Sequence, residues 1–210
     1  MAKIRVKICG LTTPEQARIV ASSGADAVGL VFYDASPRAV SIEQARAIAY
    51  AAGPFTTVVG LFVNATTEFI HQVLAQVPLH TLQFHGAESP AFCQQFNRPY
   101  IKAIRMKPEM DIAAEMARYP EATGLLLDAY RSGVPGGTGE RFDWTQFPQR
   151  SGQSFILAGG LTPANVAEAI AATGCMAVDV SGGVEAAPGV KDATKIRDFI
   201  FNTHLSPDIK

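Results

Sequence analysis

Little in this chain can staple a fold or hold a metal. Its 210 residues contain three cysteines, Cys9, Cys93 and Cys175, none in a CxxC pair or a Cys/His cluster. So few and so scattered, they predict neither a disulfide framework nor a zinc site, and they suit a reducing compartment. Long apolar runs are also missing. None approaches the roughly 20 residues a membrane span needs, and Ile4-Arg5-Val6-Lys7-Ile8 follows the N-terminus without the apolar stretch of a signal peptide. A soluble, cytoplasmic protein with no membrane partner is expected. Net charge is scarce too: 18 Lys and Arg against 19 Asp and Glu leave −1. Such a balance gives no long-range pull towards nucleic acid. Any anionic ligand must be held by local groups.

What is present is a steady rhythm. Hydrophobic residues make up 48 % and charged residues 18 %, ordinary for a globular chain. A chain this long can bury roughly 70 % of its unfolded surface without staples. Short runs of Val, Ile, Leu and Phe predict strands at Arg5–Cys9, Ala27–Phe32, Thr57–Phe62, Thr81–Phe84, Tyr100–Arg105, Gly124–Asp128, Ser154–Ala158 and Ala177–Ser181. Several are continuously apolar, as parallel strands covered on both faces should be.

Helix-length segments with start signals lie between the strands. Thr13 stands before Pro14 as a hydroxyl cap, and Thr162-Pro163 repeats the device. Ser41 with Gln44 predicts a capping box. Asn64 or Thr66, Ser89 and Asp192 are further caps, and Gly24 and Gly53 sit where helices stop. This alternation predicts an α/β chain folded as a single (β/α)8 (TIM) barrel over residues 1–210. An open doubly wound sheet is the alternative, but Cys9-Gly10-Leu11-Thr12 after the first strand carries no GxGxxG fingerprint. The polar tail from Asn202 reads as a loosely held terminus.

Barrel chemistry sits at the C-terminal strand ends and the loops beyond them. Gly159-Gly160 and Ser181-Gly182-Gly183 follow the last two strands, where backbone N–H groups can cradle a phosphate, or merely make tight turns. The segment Gly133–Gly139 reads as a ligand-covering lid or as a surface loop. Cys9 ends the first strand and can be a general base or nucleophile, or an inert buried thiol. Asp128, directly after Leu125-Leu126-Leu127, is a partly desolvated general acid or a loop cap. Asp179 is assigned an orienting task near the phosphate, holding backbone donors. Arg38 is a candidate clamp for a carboxylate. His85, beside Gly86, reads as structural more readily than as a substrate contact, and Asp143 as a cap for a short helix. Cys93 and Cys175 read as small core residues.

Lys7-Ile8-Cys9-Gly10-Leu11-Thr12 resembles the opening motif of the phosphoribosylanthranilate isomerase family of tryptophan biosynthesis. Phe32 through Ser36-Pro37-Arg38, Gln83-Phe84-His85-Gly86, Leu127-Asp128, Gly136-Gly137-Thr138-Gly139 with Phe142-Asp143-Trp144, Ala158-Gly159-Gly160-Leu161 and Asp179-Val180-Ser181 through Gly183-Val184-Glu185 match in the same order. The resemblance implies an Amadori rearrangement of a phosphorylated aminosugar without cofactor or metal. It places the general acid on Asp128, the general base on Cys9, carboxylate binding on Arg38 and the phosphate on the glycine turns. The family usually has a serine where this chain has Gly182, which implies a weaker phosphate grip and the same reaction. A monomer or homodimer is expected. Two rivals remain: another phosphosugar barrel such as indole-glycerol-phosphate synthase, whose lysine and glutamate constellation is not located here, and a non-catalytic phosphoribosyl-ligand sensor, which would need neither Cys9 nor Asp128.

Overall fold

A computed structural model describes residues 3–107, 110–129, 144, 147–148 and 154–205. Eight parallel strands close on themselves in sequence order. They are β1 (Arg5–Cys9), β2 (Ala27–Phe32), β3 (Thr57–Phe62), β4 (Thr81–Phe84), β5 (Tyr100–Met106), β6 (Gly124–Ala129), β7 (Phe155–Leu157) and β8 (Ala177–Val180). Closure comes from β1 pairing with β8, with Lys7 opposite Asp179 and Ile8 opposite Val180. Among the described residues, seven α-helices flank the barrel: α1 (Pro14–Ser22), α2 (Ile42–Ala51), α3 (Thr67–Gln76), α4 (Pro90–Gln94), α5 (Ile112–Arg118), α6 (Val166–Thr173) and α7 (Ala193–Thr203). None of the helices is long and apolar enough to cross a membrane.

Local chemistry sets most helix starts. The hydroxyl groups of Thr13, Thr66 and Ser89 accept the amides three residues on, Ser41 and Gln44 form the reciprocal capping box, and Asp192 caps α7. The Thr162-Pro163 device is a correction. Residues 162–165 form a turn, and α6 begins at Val166. The reason is Asn165, whose side chain accepts the Thr162 amide at 2.8 Å and donates to the Gly160 carbonyl at 2.9 Å. A competing side-chain tether therefore holds the chain outside the helix. The tail also begins later than Asn202. Helix α7 continues because Thr203 is buried and Asn202 donates to the Pro163 carbonyl at 2.8 Å. A feature the sequence reading did not contain follows β8: a 3-10 turn (Gly182–Val184) and a small hairpin of β9 (Glu185–Ala187) and β10 (Val190–Lys191). Gly133–Gly139, Asp143 and residues 206–210 lie outside the described residues.

Alternation sorts each strand between two environments. Val6, Ile8, Val28, Leu30, Leu82, Leu125 and Leu127 pack in the large buried cluster shared with the helices. Inside the barrel, Cys9, Val31 and Leu61 form one cluster and Ala103, Leu126 and Ala158 another. The same alternation buries Lys102 of β5 on the helix side. Its ammonium donates to the Phe84 and Gly86 carbonyls and to Glu88 Oε2, at 3.2, 2.7 and 3.1 Å. Glu88 in turn accepts the amides of Asn64 and Gly86. This clasp fixes the loops after β3 and β4, on one of which His85 stands. Lys102→Met strands a buried carboxylate, so urea unfolding should show a loss of about 3–5 kcal/mol. Stability within about 0.5 kcal/mol of the parent would mean that the pair holds nothing.

Candidate active site

The C-terminal strand ends enclose a cavity of about 890 Å³. Cys9, Arg38, His85, Arg105, Asp128 and Asp179 all line it, together with Gly159, Gly160, Ser181, Gly182 and Gly183. The structure thus brings every sequence-selected site residue to one pocket. Because the strands close in order, β6 lies three strands from β1 around the ring, with β8 and β7 between them, so Cys9 and Asp128 line the pocket from separate strands.

Cys9 is 4 % exposed and packs with Val31 and Leu61. Its room comes from Gly29, its register partner on β2, where a Cβ would collide with the Cys9 sulfur. Burial pushes the thiol above its ordinary range; Lys7 and Lys191 oppose that and Asp179 adds to it, with the net result upward. Cys93 and Cys175, also buried, are pushed up by burial to about 12 and about 11. Both belong to the buried core cluster, where their positions in the sequence placed them.

On β6, Asp128 stands in register with Arg105 of β5. His85 comes close to it: its Nε2 lies 3.2 Å from Asp128 Oδ2, and Gln83 Nε2 lies 3.3 Å from its Nδ1. The His85–Asp128 approach is outside hydrogen-bond geometry, so the two are close without being aligned. Both side chains are mostly buried.

The phosphate-type turns, after β7 and β8, lie between Cys9 and Asp128 around the rim. Among the described residues, the amides of Gly160, Gly182 and Gly183 donate to no protein acceptor. Gly183 can be nothing larger, since a Cβ there would collide with the Leu161 carbonyl oxygen. The two turns are therefore packed against each other by backbone contact. Ser181 Oγ donates to the Cys9 carbonyl at 2.9 Å, tying the end of β8 to the end of β1.

Arg38, the candidate carboxylate clamp, is already paired within the protein. Its Nε and Nη2 donate to the two oxygens of Glu185, each at 2.7 Å. This contact, more than burial, raises the guanidinium above its usual value. One two-pronged edge is taken by the protein, and the N–H donors at Nη1 are left for a ligand. Glu185 also accepts Lys191 Nζ at 2.7 Å. Burial works against the Glu185 carboxylate, but the two cations hold it below its usual range. Burial pulls Lys191 down despite Glu185, while its ammonium donates to the Ser181 carbonyl at 3.1 Å.

Asp179 holds a cation in place of the backbone donors expected of it. Lys7 Nζ meets its Oδ1 at 2.8 Å, both side chains nearly inaccessible. Burial works to lower the Lys7 ammonium, but Asp179 and the Cys9 side chain outweigh it and raise it. Lys7, Glu185, Lys191 and Arg105 were missed as site residues. Lys7 did carry a signal, a cation two residues before Cys9 in a buried strand, hence on the same face. Among the described residues, no group of His, Cys, Asp and Glu is placed to hold a metal ion.

With this geometry in view, comparison with known proteins is informative. The family model for N-(5′-phosphoribosyl)anthranilate (PRA) isomerase matches residues 6–202. An N-(5′-phosphoribosyl)anthranilate isomerase of Cellvibrio japonicus is 62 % identical over 200 residues, covering 95 % of this chain and 93 % of the relative. One from Neisseria gonorrhoeae is 57 % identical, covering 95 % and 96 %. The crystal structure of the Thermotoga maritima enzyme superposes with a TM-score of 0.88 at 41 % identity, covering 96 % of this chain and 98 % of the other. A phosphoribosyl anthranilate isomerase crystallised with reduced 1-(o-carboxyphenylamino)-1-deoxyribulose 5-phosphate superposes at 0.82 with 40 % identity, covering 96 % and 98 %. A chain matched over nearly its whole length, with its rim residues gathered in one pocket, belongs to the N-(5′-phosphoribosyl)anthranilate isomerase family.

Proposed function

We propose that this chain converts N-(5′-phosphoribosyl)anthranilate to 1-(2-carboxyphenylamino)-1-deoxyribulose 5-phosphate by general acid–base catalysis, with Asp128 as acid and Cys9 as base. One observation supports the pair above all: a carboxyl group at the end of β6 and a thiol at the end of β1 line one cavity, with the glycine turns after β7 and β8 between them. Asp128 protonates the furanose ring oxygen, and the ring opens to a protonated Schiff base. Cys9 as thiolate removes the C2′ proton, giving an enolamine that becomes the ketone. No electrons leave the substrate, so the step needs no redox partner. The amides of Gly160, Gly182 and Gly183 receive the phosphate, and Gly182 offers its N–H without the hydroxyl usual in the family. Arg38 meets the anthranilate carboxylate with the Nη1 donors that Glu185 leaves open. His85 and Arg105 flank Asp128. A reducing cytoplasm suits the buried thiols.

Cys9→Ser and Asp128→Asn should each fold normally and lose about 10²–10⁴-fold in kcat. Their KM values should move far less, because neither group is assigned the phosphate or the carboxylate. Steady-state kinetics on purified variants decides; activity within a few-fold of the parent in both would refute the mechanism.

Arg38→Ala should raise KM through loss of a charge-assisted contact worth about 1.5–3 kcal/mol, with Arg38→Lys recovering only part of it. Unchanged KM in both variants would make Arg38 a partner of Glu185 alone.

A further inference from the structure

Two buried charges inside the barrel are not used by the reaction as described. Lys7 and Asp179 pair at 2.8 Å in register across the β1–β8 closure. If their task were only to fill the barrel, apolar side chains would fill it without desolvating two ions. Alternation puts Lys7 on the same side of β1 as Cys9, and its ammonium acts on the Cys9 sulfur as well as on Asp179.

We propose that Lys7 is a positioning residue for Cys9: anchored by Asp179, its ammonium stabilises the thiolate and keeps it beside the reacting carbon. This rests on the reading of Cys9 as general base. The surroundings of the sulfur make Lys7 the leading influence. From β2 and β3 come Gly29, Val31 and Leu61, which carry no charge, and the half-buried Tyr33 packs on the same cluster. From β8 comes Asp179, a negative charge that opposes a thiolate. From β10 comes Lys191, whose ammonium is shared among Glu185 and the Ser181 carbonyl and hydroxyl. Arg38, after β2, is neutralised by Glu185 of β9. His85, Arg105 and Asp128 line the cavity from β4, β5 and β6. Among these, Lys7 is the cation that shares a strand and a face with Cys9, two residues away on β1. In an apolar enclosure such a charge acts with little screening.

The test reads the thiol directly. In a Cys93→Ala/Cys175→Ala background, the rate of Cys9 alkylation by iodoacetamide is followed against pH by mass spectrometry. Three proteins are compared: the background, Lys7→Arg, and Lys7→Met/Asp179→Asn, which removes both charges so that no buried carboxylate is stranded. With circular dichroism unchanged, the double substitution should move the midpoint up by about one pH unit or more, slowing alkylation about tenfold below both midpoints. Lys7→Arg should stay within a few-fold of the background. For the double variant, kcat on phosphoribosylanthranilate should fall in parallel, with KM moving little, and recover as pH is raised. A folded double variant whose alkylation curve superimposes on the background overturns the proposal. A shifted alkylation curve with unchanged kcat upholds the coupling of Lys7 to Cys9 and instead overturns Cys9 as the base.

Discussion

The hydrogen-bonded ladder between β1 and β8 is the constraint on which the site depends. It joins residues more than 170 positions apart, and everything at the rim follows from its register. Once Lys7 stands opposite Asp179, their side chains meet inside the barrel, and Ser181 reaches the Cys9 carbonyl. The Cys9 wall and the last phosphate-type turn are thereby one unit. A shift of one residue would reverse the facing of every β1 side chain, putting Ile8 inside the barrel and Lys7 and Cys9 among the helices.

In a chain of net charge −1, the charges that matter are gathered locally. Lys7 with Asp179, Arg38 and Lys191 with Glu185, and Lys102 with Glu88 are all buried or half-buried sets. Each set costs desolvation energy, which close contact repays only in part. What they supply is placement. The first lies beneath Cys9, the second fixes the guanidinium that faces the pocket, and the third holds the loop carrying His85.

The first four strands were legible in the sequence to the residue, because each is a short β-branched or aromatic run bounded by a polar or glycine break. Capping hydroxyls likewise located four of the helix starts, that of α3 as one of two candidates with Asn64, and the Asp192 carboxylate located a fifth. The start of α6 was not legible, because the tether from Asn165 to Gly160 and Thr162 is a side-chain choice that propensity does not register. In the site, Cys9, Asp128 and the glycine turns could be found, since strand ends are where barrel chemistry sits. Their partners could not. Glu185 on Arg38 and Asp179 on Lys7 are contacts across 147 and 172 positions, and no local pattern encodes them. His85 stood in plain sight, but its approach to Asp128 depends on how far β4 and β6 rise together at the rim.

The account's central claim is that one cavity holds the sugar between Cys9 and Asp128 with its two anionic ends fixed. A crystal structure of this protein with reduced 1-(o-carboxyphenylamino)-1-deoxyribulose 5-phosphate tests it most directly. The account predicts the phosphate on the amides of Gly160, Gly182 and Gly183, the carboxylate on the open Nη1 donors of Arg38, and the C2′ carbon on the Cys9 side, with Asp128 by the ring oxygen. A phosphate held elsewhere, or a sugar with C2′ turned away from Cys9, would contradict it.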